Sequence, residues 1–198
     1  MTKAKQNSRL AAVIGLFTAV TAVLQFISYY VKVGPFSITL TLIPIVLVSV
    51  LYGPKYSAIL GATFGIVTYI GAVIGVDMGG NILFNASPFY LIILCLSKAV
   101  LCALASGTAA NLLKKKSETA AVIVSAVTAP VVNTAVFIIR MFSFYGKVLY
   151  EWAGNTEIVT YIITGLVGIN FLFELTVNVI LSPVILRIIK ATKRYFAQ

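Results

Sequence analysis

Long apolar runs separated by short polar or Gly/Pro-rich breaks dominate the chain. Cutting at those breaks gives six stretches, roughly 9 to 31, 37 to 52, 55 to 76, 87 to 113, 119 to 145 and 158 to 190. Most approach or exceed the ~20 apolar residues with which a helix crosses a hydrocarbon core of about 30 Å. The second is short, suited to little tilt or to a partly re-entrant path, and the sixth is long enough to project beyond the lipid. The pattern predicts an all-α integral membrane protein, with residues 1–198 forming one domain of six transmembrane helices.

Composition strengthens that reading. Hydrophobic residues make up 60% of the chain, charged residues 10%, and the mean hydropathy is +1.04, too apolar for a soluble core. The first apolar stretch runs past the length of a signal-peptide core and no Ala-x-Ala-like site follows it, so the chain is expected to insert whole. Cys95 and Cys102, the two cysteines, are seven apart on one face of the same predicted helix. They read as packing residues rather than a disulfide or a metal site.

Charge gives the bundle a direction. Of fifteen Lys and Arg, eleven (Lys3, Lys5, Arg9, Lys55, Lys114, Lys115, Lys116, Arg187, Lys190, Lys193, Arg194) fall on one side of the layout. Lys32 and Lys147 fall on the other, with Asp77, Glu151 and Glu157. The positive-inside rule then puts both termini in the cytoplasm. Topology and contact with anionic headgroups account for the net charge of +10, so no nucleic-acid partner is implied.

Several chemistries are excluded. The chain has no histidine, which removes Ser-His catalysis, His-ligated metal and HExxH hydrolysis. It has no Walker-type Gly-rich loop, so energy for uphill transport would come from a gradient or a partner.

Three charges, Lys98, Arg140 and Glu174, lie inside apolar stretches. Each costs about 2.5–3.5 kcal/mol at a helix centre even on the lenient insertion scale, and such residues normally pair or meet a ligand. Asn170, Glu174 and Asn178 recur every four residues and share one face of the sixth helix. Asn133 and Arg140, seven apart, share a face of the fifth. Lys98 lies near the middle of the fourth at a depth comparable to Glu174, so the two either form a structural pair or meet a ligand. Arg140 either snorkels to the outer interface or receives an anion through its planar guanidinium. The segment from Asp77 to Pro88 reads as a polar external loop, with Asn81 and Asn85 completing a ligand site or turning and capping the chain. Tyr90 and the aromatics Phe36, Phe84, Phe89, Phe142, Phe144 and Tyr145 crowd the same side, as an interface belt with one or two left for a ligand. On the first helix Ala11, Gly15 and Ala19 make a small-residue stripe on which another helix can pack closely, within the chain or from a partner.

The run Ile38-Thr-Leu-Thr-Leu-Ile-Pro44, followed by Leu51-Tyr-Gly-Pro-Lys-Tyr-Ser-Ala-Ile-Leu-Gly-Ala62 and Gly65, resembles the second and third helices of the substrate-binding S-components of energy-coupling-factor (ECF) vitamin transporters. Size, span number and basic C-terminal end are similar over nearly the whole chain. The Ala11/Gly15/Ala19 stripe is similar to the motif by which these proteins meet their transmembrane partner, with Gly15 where Ala is frequent. The resemblance implies a non-enzymatic capture protein of the bacterial plasma membrane. It would bind a vitamin from outside and deliver it while docked on a transmembrane coupling subunit and two cytoplasmic ATPases, with no cofactor or metal of its own. An arginine-centred pocket and the similarity to the pantothenate branch suggest pantothenate, its carboxylate near Arg140 or Lys98 and its polar groups near Asn133, Asn170, Asn81 or Asn85. Riboflavin and folate are alternatives within that reading. An ion-coupled secondary transporter using Glu174, a membrane enzyme and an assembly factor are alternatives outside it.

Overall fold

The computed structural model describes residues 3–33, 36–37 and 39–197. Ile38, and the side chains of Lys3, Lys32, Phe36, Lys193 and Arg194, lie outside what is described.

The chain folds as a helical bundle. Helix α1 (Lys3–Ser28) leads into a minimal antiparallel hairpin, β1 (Lys32–Val33) and β2 (Phe36–Ser37), that pairs Lys32 with Ser37. Helix α2 (Leu42–Tyr52) follows. Gly53, at φ 85°, breaks the chain before Pro54 opens α3 (Pro54–Val73), a left-handed turn that glycine adopts without penalty. Then come α4 (Met78–Ala86), α5 (Pro88–Lys114), α6 (Glu118–Phe144), α7 (Gly146–Ala153) and α8 (Ile158–Tyr161). Helix α8 runs through a π-helical turn, Ile162–Val167, into α9 (Gly168–Ala197).

Local chemistry sets these boundaries. Ser87 and Ser117 stand at the N-termini of α5 and α6 and accept from the main-chain N–H of Tyr90 at 3.4 Å and Ala120 at 3.2 Å, satisfying donors that a helix start leaves free. Asp77 caps α4 in the same way, accepting from Gly80 N–H at 3.2 Å. The segment expected as a loop from 77 to 88 is therefore a nine-residue helix, capped at its start by the residue types that had suggested a turn.

Among the described residues five helical stretches are long and apolar enough to cross a membrane: Asn7–Ser28, Pro54–Val73, Pro88–Lys114, Glu118–Phe144 and Asn170–Thr192. They do not confirm the expected six, since the second stretch contributes the shorter, 11-residue apolar helix α2. At 1.5 Å per residue α2 spans about 17 Å, just over half the hydrocarbon thickness. It is apolar on every side and eight of its residues are buried, as for a helix enclosed by its neighbours.

Close packing of α3 on α5 depends on missing side chains. A Cβ at Gly61 would lie 2.6 Å from the Ala99 carbonyl oxygen, and one at Gly65 would lie 2.8 Å from that of Cys95. This four-residue glycine spacing lets two helix backbones approach in lipid, where no hydrophobic drive separates helix from helix. Ser57 Oγ donates to the Ala103 carbonyl at 2.9 Å, and the Ser106 and Ser125 hydroxyls meet at 2.6 Å between α5 and α6.

The core forms two clusters. One surrounds α2 and joins Leu42, Val46 and Val50 to Leu60, Phe64, Ala103, Ala126, Ile185 and Ile189. The other gathers Leu83, Leu91, Leu94, Met141, Tyr145, Leu149, Ile162 and Leu166 at the opposite end, where α4, α7 and α8 lie. Around the α2 end stand Lys55, Lys114, Lys115 and Lys116. There Lys114 Nζ donates to the Leu51 carbonyl at 3.1 Å.

Candidate substrate cavity

A cavity opens between the two clusters, lined by Phe64 from the first and Leu166 from the second, and holds about 610 Å³ of empty space including its mouth. Helix α5 projects Lys98 into it, α6 projects Asn133, Thr134 and Phe137, and α9 projects Asn170, Phe171 and Glu174. The four-residue spacing of Asn170 and Glu174 and of Asn133 and Phe137 places each pair on one helix face. Gln25 and Tyr29 from the end of α1, and Thr39 from the segment after the hairpin, close the remaining side.

The two charges at the centre do not pair with each other. Among the described residues no ion pair joins Lys98 to Glu174; the Lys98 ammonium sits 5.6 Å from the ring centres of both Phe64 and Phe137. Aromatic faces attract a cation, each by about 0.5–2 kcal/mol depending on desolvation. Glu174, 5% exposed, has another partner: its Oε1 accepts the main-chain N–H of Thr39 at 2.8 Å. The Thr39 hydroxyl and the Asn133 amide also reach that carboxylate. Two neighbouring contacts hold the same segment, with Leu40 N–H donating to Ser28 Oγ at 3.1 Å and Thr41 Oγ1 to Gln25 Oε1 at 3.4 Å. Glu174 thus tethers the approach to α2.

Two cavity oxygens lack partners. Among the described residues nothing donates to Asn133 Oδ1 or Asn170 Oδ1, although both atoms are buried. Buried polar atoms are normally satisfied, and an exception on a cavity wall marks a place for a donor from elsewhere. Asn178, the third member of the α9 row, does not line the cavity and turns its Nδ2 onto the Glu174 main-chain carbonyl at 2.8 Å. Tyr29 donates its hydroxyl to the Val67 carbonyl at 2.8 Å.

Of the predicted site residues, Lys98, Asn133, Asn170 and Glu174 share this cavity, whereas Arg140, Asn81, Asn85 and Tyr90 do not line it. Arg140 is half-exposed and lies over the Phe144 ring at 5.2 Å. Tyr90 stacks on that ring at 4.7 Å between centres. Asn81 donates to the Ala72 carbonyl at 2.8 Å and accepts from Asn85 at 3.2 Å, fastening α4 to the end of α3. Gln25, Tyr29, Thr39, Phe64, Thr68, Phe137 and Phe171 line the cavity without having been singled out. Gln25 had a readable signal as the one amide between Arg9 and Ser28, while Phe137 is one α-turn beyond Asn133.

On the outer surface of α1, Ala11, Gly15 and Ala19 are exposed, and a Cβ built on Gly15 meets nothing within 4 Å. The stripe does not pack inside the bundle.

An arrangement of this kind can bind: it offers a cation, hydrogen-bond acceptors and aromatic surface. No curated protein matches the chain. A family model described as "ECF transporter, substrate-specific component" matches residues 9–186, nearly the whole chain. With a cavity held among apolar crossing helices and a match of that extent, the chain belongs to the family of substrate-specific components of ECF transporters.

Proposed function

We propose that this protein captures an anionic vitamin, with pantothenate the best candidate, and presents it to a transmembrane coupling subunit powered by two cytoplasmic ATPases. The observation that carries the reading is the Lys98 ammonium, unpaired between Phe64 and Phe137, beside the unpartnered oxygens of Asn133 and Asn170. A carboxylate gives that ammonium a charge-assisted contact. The amide N–H and hydroxyls of pantothenate supply donors for the two asparagines, and its geminal methyl groups suit the phenylalanines. Neutral riboflavin offers the Lys98 ammonium no charge-assisted contact. Folate brings a second carboxylate for which the cavity lining holds no second cation.

The basic end, with Lys55 and Lys114 to Lys116, faces the cytoplasm of a bacterial cell and both termini lie there. The cavity then opens outward. The exposed Ala11/Gly15/Ala19 stripe is the surface offered to the coupling subunit.

The test is purification in mild detergent, mass spectrometry of any bound small molecule, and calorimetric titration. Stoichiometric binding of pantothenate or another carboxylate-bearing vitamin is expected. A protein that binds riboflavin alone, or ignores a vitamin panel, would refute the assignment.

A further inference from the structure

Each residue of an α-helix turns about 100°, so a face recurs at steps of three and four. Upward from Asn178, Glu174 and Asn170, those steps lead the inward face to Val167 and then to Ile163 and Thr160. The observed burial departs from this: Ile163 is 61% exposed, whereas Ile162 is 7% exposed and packs in the outer core cluster. Thr160 and Thr164 also lie exposed, and Thr164 donates to the Thr160 carbonyl at 2.7 Å. The inward position has shifted by one residue.

The backbone supplies the cause. Ile162–Val167 is π-helical, a turn that accommodates one extra residue and so rotates everything before it by about 100°. Two glycines permit it. A Cβ on Gly168 would collide with the Ile163 carbonyl oxygen, and one on Gly165 would lie 2.9 Å from the Tyr161 ring. The turn sits on the cavity, since Leu166 and Val167 line it together with Asn170 and Phe171.

We propose that the π-turn is a positioning element for the captured solute. It sets the outer half-helix one residue out of α register, so that Leu166 joins Val167 on the cavity wall above Asn170 and Ile162 packs behind them in place of Ile163. Gly168 is the residue that allows it. The inference rests on the cavity being the capture site, and it assigns the part of the solute facing α9's outer half as apolar.

Three variants test this: Gly168→Ala, deletion of Ile163, and the two combined. In the combined variant an unbroken α-helix carries Ile162 into the inward position without needing the π-turn. Pantothenate affinity by calorimetry and Tm in detergent are the readouts. Gly168→Ala should lower both, with affinity falling by about tenfold or more for a displaced wall. The combined variant should recover Tm and return to within about threefold of the parent affinity. Wild-type behaviour of Gly168→Ala, or a combined variant no better than the single one, would overturn the proposal. If Gly168→Ala alone does not fold, a folded combined variant supports the register shift and a misfolded one refutes it. Should the parent chain not bind pantothenate, the cargo assignment fails by itself, and the Tm comparison still decides the register.

Discussion

At the scale of single residues, Lys98 is where the proposed binding role can be told from a packing role. Glu174 attracts the ammonium electrostatically, but its Oε1 accepts from Thr39, and the ammonium lies beside two rings. Lys98→Met, close in length and uncharged, should weaken binding of an anionic vitamin by at least about tenfold, the range of a lost charge-assisted contact. Arg140→Ala should change affinity by less than about twofold, since its head lies on Phe144 outside the cavity. Calorimetry on both variants checks this, and equal losses would remove Lys98 from its assigned role. Lys98, Asn133, Asn170 and Glu174 were legible because each is a polar interruption of an apolar run. Arg140 satisfies the same criterion, but a long side chain near a helix end can leave the interior, and the sequence does not show which way it turns. Gln25, Thr39 and Phe64 enter the cavity through the way distant helices cross, which spacing along one helix does not encode.

At the scale of elements, the long helices were the most legible parts. The stretches 87 to 113 and 119 to 145 correspond to α5 at Pro88–Lys114 and α6 at Glu118–Phe144, because serine caps and proline starts mark them locally. Helix α4 was read as a loop since Gly79, Gly80 and Asn81 are turn formers in isolation; here Asp77 supplies the cap and Asn81 the tether. The α3 glycines carry a prediction. Gly61→Leu places a branched side chain where a single methyl group already meets the Ala99 carbonyl at 2.6 Å. It should force α3 from α5 and lower Tm clearly, by the equivalent of about 1–3 kcal/mol or more, with loss of ligand affinity. An unchanged Tm in detergent would show that the two helices are not held together there.

At the scale of the whole molecule, the surfaces proposed for capture and for delivery are distinct. The cavity lies inside the bundle, and the Ala11/Gly15/Ala19 stripe lies on its exterior. Gly15→Leu should therefore leave vitamin binding by the isolated protein intact and abolish uptake in cells that supply the coupling subunit and ATPases, because a large side chain stops a partner helix from closing in. Binding lost together with uptake would place the stripe within the fold instead. The membrane class was legible from hydropathy. Hydropathy did not show how short the second stretch would be as a helix, because an enclosed apolar rod and a membrane span have the same composition.

That rod governs more than packing density. Five stretches are long enough to cross, an odd number, and counting length alone would leave the chain's two ends on opposite faces. The 11 residues of α2 carry the chain back to the basic end, where Lys114 holds the carbonyl of Leu51. In the proposed topology, with both termini in the cytoplasm, α2 makes the return that sets the sidedness of every later helix, although lipid alone would not hold so short a segment across its thickness.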